Sequence, residues 1–377
     1  MRVCVLGTHS FTEKGPKVGT QHIAEKLAQQ GHTVVYATAH ASVLMLASGT
    51  HRHRYLRTRR AARIGDNLVQ VTPVNLFPAR VLKRVEGSVV EPLLMGLNRQ
   101  FERSRGGVLE DAEFDVCIFS AALSMTLTAK INARHFIYRH NDLLAEFPTV
   151  PRSLLEFEDG VLHSRRLTAV CPVNSQLAES IRARNARLPL KVVPNGIDRD
   201  LFEAAEPDPE LMPTRERNVA YVGAFNAWVD VELLLATAAL LPDHRFHLYG
   251  SWAVPRPQRT PANVCVHAPI AHADAASKMK ACAVGLIPYG VANARRMVEK
   301  PLKYYEYLAS GMGVAATSYA GRDLEPYAAI GDSPDALADA IHRAKGIPAQ
   351  YGDAIREELR RLDWRDLVRE IIECCES

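Results

Sequence analysis

Two groups of residues in this chain have the types and spacing to do chemistry. Lys303 and Glu306, in KPLKYYEYLASG, stand three apart and so fall on one side of a helix. A cation there can meet a diphosphate and a carboxylate can accept two hydroxyl protons, which suits a nucleotide sugar. A solvent-facing ion pair is the plainer reading of the same two residues. Asp142 ends the apolar stretch HFIYRHND. A carboxylate so placed can take the proton of an attacking hydroxyl, or it can cap the next helix. His9, His22 and His140 are further candidates, although a single histidine is more often structural. The only strict Asp-x-Asp, Asp198-Arg-Asp200, reads as turn chemistry and not as a metal site. The seven cysteines lack CxxC or Cys/His ligand spacing and mostly sit in apolar strands, so they read as free thiols. Cys374–Cys375 is an acylation candidate, but thiols near a chain end are more often incidental.

The elements that must position these groups alternate strand and helix. VGLIPYGVANARRMVEKPLKYYEYLASG is predicted to be a strand over Val284–Ile287, a loop carrying Asn293, Arg295 and Arg296, and a helix from about Pro301 to Ala309. Pro301 suits the first turn of that helix and Gly311 its positive-φ stop. The loop then lies at the carboxyl end of a parallel strand, where open α/β sheets bind ligands and a helix start attracts phosphate. RVCVLG (2–7), the helix over 20–30 and HTVVYAT (32–38) form a β–loop–α–β unit that signals a doubly wound fold. The loop GTHSFTEKG lacks GxGxxG spacing, which argues against a nicotinamide dinucleotide. Ser175 is expected to cap the helix QLAESIRAR, residues 206–218 to form a linker, and a single last helix to span 353–374.

The 377 residues suggest two domains, and 47% hydrophobic with 23% charged residues is ordinary soluble composition. MRVCVLGT enters a strand directly, so no signal peptide is expected, and no run is long enough to span a bilayer. The net charge of +4 conceals an asymmetry: residues 1–195 hold 26 Lys and Arg against 16 Asp and Glu, while the remainder holds 20 against 26. Residues 52–84 alone carry nine basic side chains, among them Arg57, Arg59, Arg60, Arg80, Lys83 and Arg84, and one acid, Asp66. Leu76, Phe77, Val81, Leu82 and Val85 interleave the later ones. Basic residues beside apolar ones suit contact with an anionic membrane surface. A solvated surface loop is the alternative. Nucleic acid is not expected, because no stacking aromatics or binding module accompany the charge.

VPNGID followed by Phe202, VAYVGAF, FHLYGS, GLIPY and KYYEYLASG together resemble the nucleotide-sugar glycosyltransferases of the B-type fold. Within them the pattern resembles the membrane-associated β-glucuronosyltransferases of xanthan biosynthesis: YRHND, VGAF, FHLYGS, LIPY and KYYEY match that family's turn, loops and donor helix. The resemblance implies two Rossmann-like doubly wound domains facing each other across a cleft. The first, 1–195, would take acceptor and membrane, with residues 356–377 packing back on it; the second, 196–355, would take the donor. It also implies Asp142 as general base and Phe225, Tyr289, Arg295, Leu302, Lys303 and Glu306 around the donor, with Lys303 on the diphosphate or uronate and Glu306 on the ribose. The family's glutamine is here Glu306 and its uracil-side glutamate is here Pro269. Retaining relatives often carry two glutamates separated by seven residues; Glu299 and Glu306 have six between them.

The expected activity is inverting, metal-independent transfer of a sugar, glucuronate among the candidates, from UDP to a lipid-linked or glycan acceptor. No cofactor is expected. The expected setting is surface polysaccharide biosynthesis at the cytoplasmic face of the cell membrane. A retaining transferase of the same fold, a sugar-nucleotide epimerase and a non-catalytic donor-binding module are the alternatives.

Overall fold

The computed structural model describes the chain except residues 13–16, 39–40, 44–60, 78–80, 82–83, 86–87, 91, 95, 98–108, 110–111, 121–122, 147–149, 293–299, 322 and 376–377. It divides into two compact units, one running to Pro194 and regained from Arg365 onward, the other Asn195–Trp364.

The first unit is built on β1 (Arg2–Leu6), β2 (Thr33–Ala37), β3 (Ala41–Ser42), β4 (Ala62–Gly65), β5 (Leu68–Val71), β6 (Val74–Asn75), β7 (Glu113–Ser120), β8 (Asn132–His140) and β9 (Leu167–Pro172). Seven of these form one sheet in the order β4-β5-β2-β1-β7-β8-β9, parallel except for the β4–β5 hairpin; β3 and β6 pair separately. Residues 3–6 of β1 are fully buried, as a central parallel strand covered on both faces requires. Each such aliphatic side chain contributes about 1.5–3 kcal/mol on burial. The helix Gly19–Gln29 follows β1 and buries Ile23, Ala24 and Leu27. The hairpin 62–71 was not foreseen, because Arg63 belongs to a basic stretch that hides the alternation, although Gly65-Asp66-Asn67 supplies the turn.

The second unit has six parallel strands in the order β12-β11-β10-β13-β14-β15. These are β10 (Asn218–Val222), β11 (Arg245–Tyr249), β12 (Val264–His267), β13 (Val284–Ile287), β14 (Gly313–Ala316) and β15 (Ala328–Ile330). The helix after β13 runs Leu302–Ala309 with Pro301 as its N-cap, and Gly311 leaves it at φ 72°.

Three expectations are corrected. Residues 206–218 are no linker: Asp208 is ion-paired to Lys278, and the Arg215 guanidinium donates to the Gly311 carbonyl at 2.9 Å. The cap of the helix Ser175–Arg184 is Asn174, whose Oδ1 accepts from the Leu177 amide at 2.8 Å, and not Ser175. The last helix is two, Ile347–Arg360 and Trp364–Glu373. It breaks where the chain pairs with a distant segment: Ile197 donates to the Leu362 carbonyl at 2.8 Å, and Trp364 donates to the Ile197 carbonyl at 3.2 Å. Beyond the break, the last helix docks on the first unit. Arg365 accepts from Gln30 Nε2 at 2.8 Å, Cys374 Sγ lies 3.3 Å from Cys171 Sγ, and Lys191 bridges Glu370 and Glu373.

Candidate active site

In the second unit the loops after β10 and β11 press together. A Cβ on Gly250, at φ 159°, would stand 1.8 Å from the Gly223 carbonyl oxygen, so only glycine permits this approach. Cross-loop hydrogen bonds run from Gly223 N to Tyr249 O at 2.9 Å and from Phe225 N to Ser251 O at 2.8 Å. Phe225 is fully buried and stacks on Trp252 with centroids 3.9 Å apart. It forms a wall beneath the loop.

Lys303, on the first turn of the helix Leu302–Ala309, reaches into this corner. Its Nζ lies 3.9 Å from the Tyr221 ring centroid and 5.2 Å from that of Tyr289, and 2.8 Å from the point a Gly223 Cβ would occupy. The side chain is half-buried, and desolvation pushes its pKa down to about 7, against the raising influence of Glu306. The surface ion pair is thereby excluded, because Glu306 is buried and its Oε1 lies 2.9 Å from His272 Nε2. Lys303 faces rings, with no carboxylate in ion-pair range among the described residues. A cation held over aromatic faces without a counter-charge is suited to bind an anion. Tyr289 is 6% exposed, and its carbonyl accepts from Thr317 Oγ1 at 2.6 Å. Leu302 is half-buried at the helix start.

In the first unit Asp142 follows β8 at the carboxyl edge of the sheet and is half-buried. The 3₁₀ turn Leu144–Glu146 follows it directly, and the next α-helix, Arg152–Leu162, has Pro151 as its N-cap, so Asp142 does not cap that α-helix. Within YRHND the side chains part company. Arg139 is buried, and its guanidinium donates to the carbonyls of Cys171, Val193 and Pro194; burial pushes its pKa down to about 10. Tyr138 and His140 share the other face. The Tyr138 hydroxyl donates to Glu158, which is also bridged to Arg184 at 2.9 Å. Desolvation, then the charges of Glu158 and Asp142, raise the Tyr138 pKa, which places Asp142 within electrostatic reach. Nothing in the linear sequence signals Glu158 and Arg184, which lie 20 and 46 residues from Tyr138.

His9 meets Thr8 Oγ1 at 2.7 Å, and His22 is buried in the helix Gly19–Gln29. Asp198 and Asp200 sit at the start of the helix Arg199–Ala204. Arg57, Arg59, Arg60, Arg80, Lys83 and Arg295 lie outside the described residues, whereas Arg84 is described and exposed. Two cavities lie elsewhere. One of about 400 Å³ is lined by Phe119, Phe136, Phe157 and Arg166; another of about 330 Å³ lies beside Phe202, Leu308 and Ile355.

Solved structures share this architecture over nearly the whole chain. Sucrose-phosphate synthase from Thermosynechococcus elongatus matches with a TM-score of 0.66 at 16% identity, over 99% of this chain and 98% of that one. WaaG, a glycosyltransferase involved in lipopolysaccharide biosynthesis, gives 0.60 at 13%, with 98% of each chain covered. Anabaena HepE in complex with UDP-glucose gives 0.60 at 14%, with 100% of each covered. No curated protein matches the chain. The fold is the one these B-type glycosyltransferase structures share. More narrowly, residues 5–164 match the family model "Glucuronosyltransferase GumK, N-terminal domain", and the resemblance expected from YRHND and its companions is to that glucuronosyltransferase.

Proposed function

We propose that this protein is an inverting, metal-independent glycosyltransferase. It moves a sugar, with glucuronate the first candidate, from UDP to a lipid-linked or glycan acceptor in surface polysaccharide biosynthesis. The observation that carries the donor assignment is Lys303, a half-buried cation at the carboxyl edge of a parallel sheet with two aromatic rings against it and no carboxylate in ion-pair range among the described residues. The match to the glucuronosyltransferase domain supports the sugar, and the UDP-glucose held by the HepE structure supports the nucleotide. In the reaction the acceptor oxygen forms a bond to the anomeric carbon while the bond to the diphosphate breaks. Asp142 takes the hydroxyl proton, and Lys303 with the start of its helix receives the charge that builds on the leaving UDP. Glu306, tied to His272, lines the ribose side through its remaining oxygen, with Tyr289 and Leu302 adjoining and Arg295 contributed by the loop.

Product analysis after offering a panel of nucleotide sugars with membrane extract tests this. The expected result is UDP release that requires acceptor and survives EDTA. Conversion of a UDP-sugar without acceptor would instead identify an epimerase. A retaining transferase is the second reading, favoured by one observation: a similar solved structure is of trehalose-6-phosphate synthase studied for transfer with retention. The anomeric configuration of the product separates the two.

Attachment to the inner face of the cell membrane belongs to the same proposal. Val89, Val90, Leu93 and Leu97 are 94%, 42%, 61% and 36% exposed, close after the exposed Arg84. Among the described residues no helix is long and apolar enough to cross a membrane. Arg59→Glu, Arg60→Glu and Arg84→Glu together should release the protein from anionic vesicles, each charge contributing about 1 kcal/mol. Unchanged cosedimentation at low salt would refute it.

A further inference from the structure

Beside Asp142 a buried hydrogen-bond chain fixes which nitrogen of His140 carries the proton. Glu158, paired with the Arg184 guanidinium at 2.9 Å, is a carboxylate and can only accept. The single proton of the Tyr138 hydroxyl therefore goes to Glu158. His140 Nδ1 lies 3.0 Å from that same hydroxyl oxygen, whose proton is already committed, so the imidazole must be the donor. With Nδ1 protonated, Nε2 is a bare lone pair. Burial drives the His140 pKa down to about 4, which keeps the ring neutral at ordinary pH.

His140 is 1% exposed, and its Nε2 has no hydrogen-bond partner among the described residues. Two more buried atoms on segments that leave the same edge of the sheet lack one among the described residues: Asn141 Oδ1, on the next residue, and Ser124 Oγ. Ser124 stands four residues past the end of β7, whose last residue Ser120 is in register with Arg139. Unsatisfied buried acceptors are costly, and a group of them at the carboxyl edge of a parallel sheet calls for a ligand rich in donors. His140 Nε2 and Asn141 Oδ1 can only accept, which selects hydroxyls over carbonyls or phosphates. An acceptor nitrogen two residues from a carboxylate fits neighbouring hydroxyls on one sugar ring, one for each group.

We propose that His140 is a binding residue for the acceptor sugar, its Nε2 taking a hydrogen bond from a ring hydroxyl adjacent to the one that meets Asp142, with Asn141 and Ser124 completing the subsite. Tyr138 and Glu158 are positioning residues that set the tautomer. The assignment rests on the reading of Asp142 as the group that handles the acceptor hydroxyl.

Long-range proton–nitrogen NMR of the full chain labelled with ¹⁵N-histidine tests it, His140 being assigned by its loss in His140→Gln. The expected wild-type signal is the Nδ1–H tautomer with a free Nε2. Titration with the methyl glycosides of glucose, galactose and mannose should move Nε2 with at least one of them. His140→Gln and Tyr138→Phe should each weaken that glycoside about tenfold, the loss of roughly one hydrogen bond, followed on ligand protons. An Nε2–H tautomer in the wild type overturns the proposal. So does an Nε2 that already shows a hydrogen-bonded shift, to water only, and ignores all three glycosides. Should Tyr138→Phe fail to fold, the wild-type tautomer and titration decide alone. Asp142→Asn separates the two readings. If it retains turnover while the glycoside still moves His140, the base assignment falls and the subsite stands. If it loses turnover while no glycoside moves His140, the reverse holds.

Discussion

The two units place opposite chemistry at the same position of the same kind of sheet. At the carboxyl edge of the second, Lys303 stands over Tyr221 and Tyr289 with no carboxylate in ion-pair range among the described residues. At the carboxyl edge of the first, Asp142 adjoins a chain in which Glu158 is satisfied by Tyr138 and Arg184. Each local charge opposes that of its surroundings in sequence: the isolated cation is in the acidic part of the chain, the carboxylates in the basic part. Overall charge therefore says little about what a site binds. Burial and the absence or presence of a partner decide it, because they set how strongly a charge is felt.

The strongest way to break the contrast is at Asp142. Asp142→Asn should lower turnover by roughly 10²–10⁴-fold while UDP still binds, since a positioned general base acts on the chemical step. Turnover within a few-fold of wild type, with an intact circular dichroism spectrum, would remove Asp142 from the reaction. Next comes Lys303→Ala. It should cost about 1.5–3 kcal/mol of UDP-sugar binding, the value of a charge-assisted hydrogen bond, and less for UMP, which lacks the second phosphate. Equal affinities by calorimetry would sink that assignment.

A smaller effect sharpens the contrast through pH. With its pKa near 7, Lys303 is charged below that value and loses its proton above it. UDP affinity should be full at pH 6 and weaken by up to about tenfold per unit above pH 7, with proton uptake on binding at pH 8. The sign for folding is the reverse of an ordinary salt-bridged lysine. The unfolded chain holds this proton up to about 10.5, so Lys303 makes stability rise between pH 7 and 10.5. A pH-independent affinity would mean that Lys303 does not meet the phosphates.

Much of this was legible in the chain as written. Continuous apolar runs such as RVCVL and NVAYV allow little but buried parallel strands. Pro301 and Gly311 bounded the lysine helix because their backbone preferences are local. What escaped was long-range. Glu306 looked like the partner of Lys303 three residues away, yet it meets His272, 34 residues distant. The split of the last helix depends on Ile197, and the setting of Asp142 on Glu158 and Arg184. Spacing along a helix gives proximity on its surface; only the packed fold decides which of two reachable partners is taken.

The stack of Phe225 on Trp252 has a practical side. The chain has three tryptophans, at 228, 252 and 364, and all fall in the second unit. Trp252 rests on the loop that follows β10, with the Arg256 guanidinium 5.9 Å from its ring. The protein is thus labelled by its own indoles on one side alone. Light absorbed at the red edge, where tyrosine is silent, is emitted entirely from the lysine-bearing unit, so that unit can be watched alone in the unmodified protein.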